Sequence, residues 1–193
     1  MEGWEQNRID RILQGDADLY GEIISAYKKA VFSMCYRMVY QHQEAEDLSQ
    51  EVFLKAYRNL GKYNREMKFS TWILSITKNT CIDYLRKTRV EGVPLEEGLH
   101  SREAPISAEE AYLYQEQKRE IERAIAALPE EYRLLIILYH QQGQSYKEIA
   151  RMENLPMSLV KNRLYRGRKM LKEKLDSVKK EGSPWTAEAV KNI

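Results

Sequence analysis

Apolar residues recur at helical spacing along most of this chain, and the pattern is lost over residues 90–107 (VEGVPLEEGLHSREAPIS). A helix on a protein surface needs an apolar stripe repeating about every 3.6 residues to bury against its neighbours. A stretch with Gly, Pro and Glu in place of that stripe has nothing to bury. The helices on its two sides must therefore build separate cores. The expected fold is all-α: two small helical domains joined by a flexible acidic linker. Nine Gly and five Pro in 193 residues leave few helix breakers elsewhere, and 31% charged against 43% hydrophobic residues is the balance of a soluble globular chain.

Ahead of the linker, Ile9, Ile12 and Leu13 mark a first helix that Gly15 and Asp16 break. Leu19, Ile23, Ile24, Tyr27, Val31, Met34, Cys35 and Met38 mark a long second helix. Ala45, Leu48, Val52 and Ala56 mark a third, begun at Gln43-Glu44 and stopped at Asn59-Leu60-Gly61. A fourth is expected to take Ser70 as its cap and to bury Trp72, Ile73, Ile76, Ile82 and Leu85. These helices make a first domain over residues 1–89. Beyond the linker, Ser107 is placed to cap a helix that ends before Pro129, and EEYRLLIILYHQQG follows as a short apolar helix ended by Gly143. Two further helices complete a four-helix second domain over residues 108–178. Residues 179–193, which include Trp185, form a tail too short to be a domain.

The last two helices carry the sharpest local signal. Ser145 with Glu148 three residues on makes a capping box, and Asn154-Leu155-Pro156 is a tight turn before a second helix from Met157 to Leu175. Two helices joined by so short a turn make a helix-turn-helix, whose second helix enters the DNA major groove. At about 100° per residue, Val160, Leu164, Gly167, Leu171 and Leu175 fall on one stripe and are expected inside. Ser158, Asn162, Tyr165, Arg166 and Lys169 fall opposite. That outward set holds the groups suited to base edges: Arg for guanine, Asn for adenine, an aromatic for a thymine methyl. Lys161, Arg163 and Arg168 flank it and suit phosphates.

Charge is partitioned along the chain. Residues 1–89 carry 14 basic and 12 acidic side chains, residues 90–110 one against six, and residues 111–193 sixteen against eleven. Two basic ends on an acidic strap suit a partner that is a polyanion. Cys35 and Cys81 lie in apolar-periodic segments with no CxxC and are expected as buried free thiols. His42, His100 and His140 are scattered. No metal and no cofactor are expected: the Glu44, Glu46, Asp47 and Glu51 carboxylates lack the histidines that usually complete such a site. No phosphate-binding Gly loop, HExxH or nucleophile elbow points to an enzyme. No apolar run reaches the roughly 18 residues of a membrane span, and the first 14 residues are charged, so the expected location is the cytoplasm.

In three segments, EAEDLSQEVFLKAY (44–57), KFSTWILSITKNTCIDYLRKTR (68–89) and the helix-turn-helix, the chain resembles the extracytoplasmic-function group of bacterial RNA polymerase sigma factors. That resemblance implies a promoter-specificity subunit, not itself an enzyme, with core RNA polymerase and promoter DNA as partners. It implies an anti-sigma factor as a further partner and a monomer when free. On the matching residues it implies polymerase contact through Asp47, Leu48, Gln50, Glu51 and Phe53. It implies recognition of a melted minus-ten element by Lys68, Trp72, Lys78, Asn79, Arg86 and Lys87, with a flipped base held by the loop 62–68. The minus-thirty-five element would fall to Ser158, Lys161, Asn162, Arg163, Tyr165, Arg166 and Lys169. The acidic linker would thread the channels of polymerase where nucleic acid otherwise runs.

Some positions depart from the family pattern: Leu74-Ser75 replace a common Tyr-Arg, Leu159 stands where Thr is frequent, and Glu153 occupies an apolar place in the turn. The competing reading is a free-standing dimeric helix-turn-helix regulator, which leaves DLSQEVF and WILSITKN without a purpose.

Overall fold

A computed structural model describes residues 2–91 and 119–179, and the chain divides into two compact units, Met1–Glu97 and Gly98–Ile193. In the first, α1 (Glu2–Leu13) turns through Gly15, whose φ of +113° favours glycine, into a 3-10 turn at Ala17–Leu19. Then come α2 (Tyr20–Val39), α3 (His42–Arg58), a 3-10 turn at Leu60–Lys62, and α4 (Phe69–Glu91). The second holds α5 (119–126), α6 (Glu130–Ile136) continued as a wider π turn over Ile137–Gln141, α7 (Tyr146–Glu153) and α8 (Met157–Lys179). The linker from residue 92 on, the Ser107 cap and the tail from residue 180 lie outside the described residues.

The first core forms where α2, α3 and α4 pack together. The expected stripe of α3 is buried in full at Ala45, Leu48, Val52 and Ala56, joined by Phe53. Tyr20 crosses from α2 and donates its hydroxyl proton to the Phe53 carbonyl at 2.7 Å, and burial pushes that phenol above its ordinary range. Cys35 and Cys81 are both free and buried, and although 46 residues separate them in sequence, their thiols meet across α2 and α4. That contact together with burial raises Cys81, holding it as a neutral thiol.

Three local expectations are corrected. Helix α4 begins at Phe69, so Ser70 lies inside its first turn rather than capping it. The stop after α3 is made by Asn59, whose side-chain amide donates to the Lys55 carbonyl at 2.9 Å, while Gly61 sits in the 3-10 turn. The buried face of α4 is Phe69, Ile73, Leu74, Cys81 and Leu85 with Thr71, Thr77, Thr80 and Thr88; Trp72, Ile76 and Ile82 are only half-buried. Threonine is admitted there because its hydroxyl can return to the carbonyl one turn back, as Thr77 does to Ile73 and Thr88 to Tyr84, both at 2.9 Å. The polar atom is satisfied and the methyl packs.

In the second unit α6 lies against α8, and Val160, Leu164, Gly167, Leu171 and Leu175 are all buried. Gly167 lets the two helices approach: a Cβ there would sit 3.3 Å from Ile136 Cγ1 and 3.4 Å from Tyr132 Cβ. The capping box is present, with Ser145 Oγ accepting from the Glu148 amide at 3.2 Å and Glu148 Oε2 from the Ser145 amide at 2.7 Å. Asn154 turns the chain at φ +51°, a conformation asparagine tolerates, and the Pro156 carbonyl accepts from the Leu159 and Val160 amides in the first turn of α8.

Because that seating is close, Gly167→Leu should overpack the α6/α8 interface and cost about 1–3 kcal/mol. Leu164→Ala should leave a cavity and cost about 2–5 kcal/mol. Both are expected as faster amide exchange confined to α6, α7 and α8, with the first unit unchanged.

Candidate nucleic-acid interface

Seating the buried stripe of α8 against α6 leaves Ser158, Lys161, Asn162, Tyr165, Arg166 and Lys169 exposed. Tyr165 is 67% exposed, an aromatic ring left largely outside the packing. The two basic residues nearest the core behave differently from expectation. Arg163 Nη2 lies 2.8 Å from Glu131 Oε2, with only 28% of its side chain exposed, so its charge is already matched within the unit. Arg168 turns inward, donating from Nε to the Leu164 carbonyl and from Nη2 to the Tyr146 hydroxyl, both at 3.3 Å. Its guanidinium also lies 5.8 Å from the centre of the Tyr139 ring, which stacks on Tyr146 at 4.8 Å. Arg168 thus ties α8 to α7 and to the π turn instead of facing phosphate, and its hydrogen bond to the Tyr146 hydroxyl holds that phenol below its ordinary range.

On α3, Asp47, Gln50 and Glu51 are exposed along one ridge, with Glu51 Oε1 2.6 Å from Lys55 Nζ. Leu48 and Phe53 were grouped with them by resemblance, but their side chains are buried, 5% and 8% exposed, and serve the core of the unit. The ridge gains instead an apolar member absent from the expected set. Leu54 is 56% exposed, three residues beyond Glu51 and so its neighbour on the helix surface, and Tyr57 is exposed beyond it. The sequence signal was present: Leu54 falls outside the Ala45/Leu48/Val52/Ala56 stripe.

On α4, Trp72, Asn79 and Arg86 recur every seven residues and so share one face, with Lys68 just ahead of the helix. Asn79, Arg86, Lys87 and Lys68 are exposed and Lys78 is half-buried; Asp83 lies 3.9 Å from Arg86. Trp72 is half-buried in an aromatic cluster, its ring 5.4 Å from Tyr63 and 5.3 Å from Phe69, with Tyr27 beyond Phe69. The loop 62–68 is folded on itself. Tyr63 donates its hydroxyl proton to the Met67 carbonyl at 2.6 Å, Asn64 Oδ1 accepts from the Glu66 amide at 2.9 Å, and Arg65 pairs with Asp10 of α1. The anchoring residues Tyr63 and Asp10 had no sequence signal, because each acts on a partner remote in the chain or through backbone.

Among the described residues no group of three or more His, Cys, Asp or Glu side chains is placed to hold a metal ion, and no helix is long and apolar enough to cross a membrane.

Comparison with known proteins defines the class. Residues 23–90 match the Sigma-70 region 2 family and residues 118–171 the Sigma-70 region 4 family. The chain is 34% identical to the ECF RNA polymerase sigma factor SigW of Bacillus subtilis over 91% of its own length and 98% of that protein's. It is 31% identical to the ECF RNA polymerase sigma-E factor of Escherichia coli strain K12, covering 89% and 94%. The fold is shared with a sigma factor solved in complex with the anti-sigma factor NepR from Bartonella quintana, at a TM-score of 0.65 and 23% identity over 81% of this chain and 96% of that one. The protein is a sigma factor of the sigma-70 type, with regions 2 and 4. Within that class it belongs to the extracytoplasmic-function group, alternative sigma factors that direct promoter-specific transcription.

Two outcomes follow from the charges on α8. Lys161→Ala should lower the salt dependence of promoter binding by about one unit of slope, whereas Arg163→Ala should leave it nearly unchanged because Glu131 already neutralises that guanidinium. Burial, and after it the Arg168 charge, hold His140 below its ordinary 6.5. The unfolded chain therefore takes up that proton first, and the second unit should lose stability as pH falls below about 6.5. Thermal melts of the full chain between pH 7.5 and 5.5 check this, with His140→Gln expected to shrink the loss.

Proposed function

We propose that the two units read separate promoter elements, the first unit a melted minus-ten element and the second a duplex minus-thirty-five element, while α3 holds core RNA polymerase. The observation that carries this reading is the division of α8 into a fully buried stripe and an opposite face exposed at Ser158, Asn162, Tyr165, Arg166 and Lys169, behind a capped α7. A helix so divided can be seated in a major groove without unpacking its own domain.

Arg166, central on that face, pairs with a guanine; Asn162 and Lys169 extend the readout and Lys161 meets phosphate. In the first unit the Trp72/Asn79/Arg86 face follows the opened strand. Asn79 offers an amide to an unpaired base edge, the half-buried Trp72 offers a ring edge, and Lys68, Lys78 and Lys87 lie along the backbone. On α3, Asp47, Gln50, Glu51 and Leu54 make a ridge of carboxylates with an apolar end, suited to a basic partner surface with an apolar pocket. Residues 90–107 act as the acidic linker between the readers, with domains at 1–89 and 108–178.

The chain works without a cofactor and without catalysis of its own, as a cytoplasmic monomer until polymerase or an anti-sigma factor takes it up. The solved relative from Bartonella quintana is held by an anti-sigma factor, which supports such a partner here.

The test is selection by the reconstituted holoenzyme from a random promoter pool. Two conserved boxes are expected, and Arg166→Ala should relax one base pair of the upstream box by about 1–3 kcal/mol while leaving the downstream box intact. A single palindromic site bound without polymerase would instead support the dimeric regulator. Separately, charge reversal at Asp47 and Glu51, or Leu54→Arg, should abolish capture of core polymerase with the helical content unchanged. Retained capture would remove α3 from the interface.

A further inference from the structure

We infer that Leu159 is a specificity-determining residue, making an apolar contact with a thymine C5-methyl in the upstream promoter box; this rests on α8 being the recognition helix. Leu159 is 37% exposed in the first turn of α8, whereas the next residue, Val160, is completely buried. The buried stripe fixes the roll of the helix, and at about 100° per residue Leu159 then lies within about 20° of Arg166 around its axis. Leu159, Asn162, Arg166 and Lys169 therefore line the same outward side, and Leu159 is its apolar member.

An exposed leucine alone means little on a protein surface. Its place on a face meant for base edges gives it a chemical meaning. Major-groove edges present hydrogen-bond donors and acceptors throughout, and the thymine methyl is their apolar feature. A leucine pressed against any other edge would strip water from a polar group and return no hydrogen bond. The same residue therefore attracts one base and penalises the others.

Spacing sharpens the assignment. Seven residues of helix separate Leu159 from Arg166, about 10.5 Å of rise, which corresponds to about two to four base pairs of duplex for a helix lying along the groove. Tyr165, the other exposed carbon-rich side chain of this face, stands roughly 120° away around the axis and meets a different base pair.

The experiment uses holoenzyme assembled from the full chain and core polymerase, on duplexes carrying its selected promoter, with each thymine of the upstream box replaced singly by deoxyuridine. That change deletes the methyl and leaves base pairing intact. For the natural chain, binding should weaken about fourfold at one thymine, the worth of one buried methyl-sized group. That thymine should lie about two to four base pairs from the guanine identified by Arg166→Ala. Leu159→Ala holoenzyme should show no loss on the same replacement, while Tyr165→Ala holoenzyme should keep it. The inference is overturned if Leu159→Ala remains as sensitive to deoxyuridine as the natural chain, if no position is sensitive, or if the selected box has no thymine at that distance. Failure to tell the selected box from a scrambled one would instead remove the recognition role of α8 itself, and Leu159 with it.

Discussion

The close approach of α8 to α6 at Gly167 decides which side chains of the second unit are available to a partner. With Ile136 Cγ1 within 3.3 Å of where a Cβ would stand, the helix can neither roll nor lift without losing the burial of Val160, Leu164, Leu171 and Leu175. A helix has one stripe to bury, and once that stripe is fixed every other side chain has a fixed direction. The Arg168 contacts to Leu164, Tyr146 and Tyr139 add a second restraint at the far side of the turn. The face that α8 offers is in this sense a consequence of packing on its opposite side.

The same division organises the first unit. Helix α3 buries Ala45, Leu48, Val52, Phe53 and Ala56 and leaves Asp47, Gln50, Glu51 and Leu54 outside. Helix α4 buries its Phe69/Ile73/Leu74/Cys81/Leu85 side and leaves Asn79, Arg86 and Lys87 outside. Loop 62–68 is held from three directions, by its own Tyr63 hydroxyl, by Asn64 and by the Arg65 pair with Asp10. A loop held in this way has little chain entropy left to lose when a partner meets it.

Charge is less simply related to function than its count along the chain suggests. Of the five basic residues between Lys161 and Lys169, Arg163 is matched by Glu131 and Arg168 is used to join helices. Formal charge is a property of composition, but the field a polyanion meets depends on which charges are already paired at short range. Lys161 and Arg166 remain on the outward side to supply that field, while Lys169 on the same side already lies 3.9 Å from Glu173 Oε1.

Much of the architecture was legible because helices announce themselves by period and by end chemistry. The α3 stripe, the α8 stripe, the Ser145/Glu148 box and the Asn154 turn all depend on residues within a few positions of one another, so local order determined them. The buried face of α4 was not legible, since threonine reads as polar until its hydroxyl is seen returning to a carbonyl one turn back. Phe53 could not be separated from Asp47 and Glu51 by resemblance, which carries a motif without saying which side of its helix is covered, whereas the period alone already set Leu48 on the buried stripe. The roles of Arg163 and Arg168, the meeting of Cys35 with Cys81 and the tie from Arg65 to Asp10 were decided only by the tertiary structure. Each depends on a partner brought close by packing, and a period of 3.6 residues reports which side of a helix is apolar but not what lies across from it.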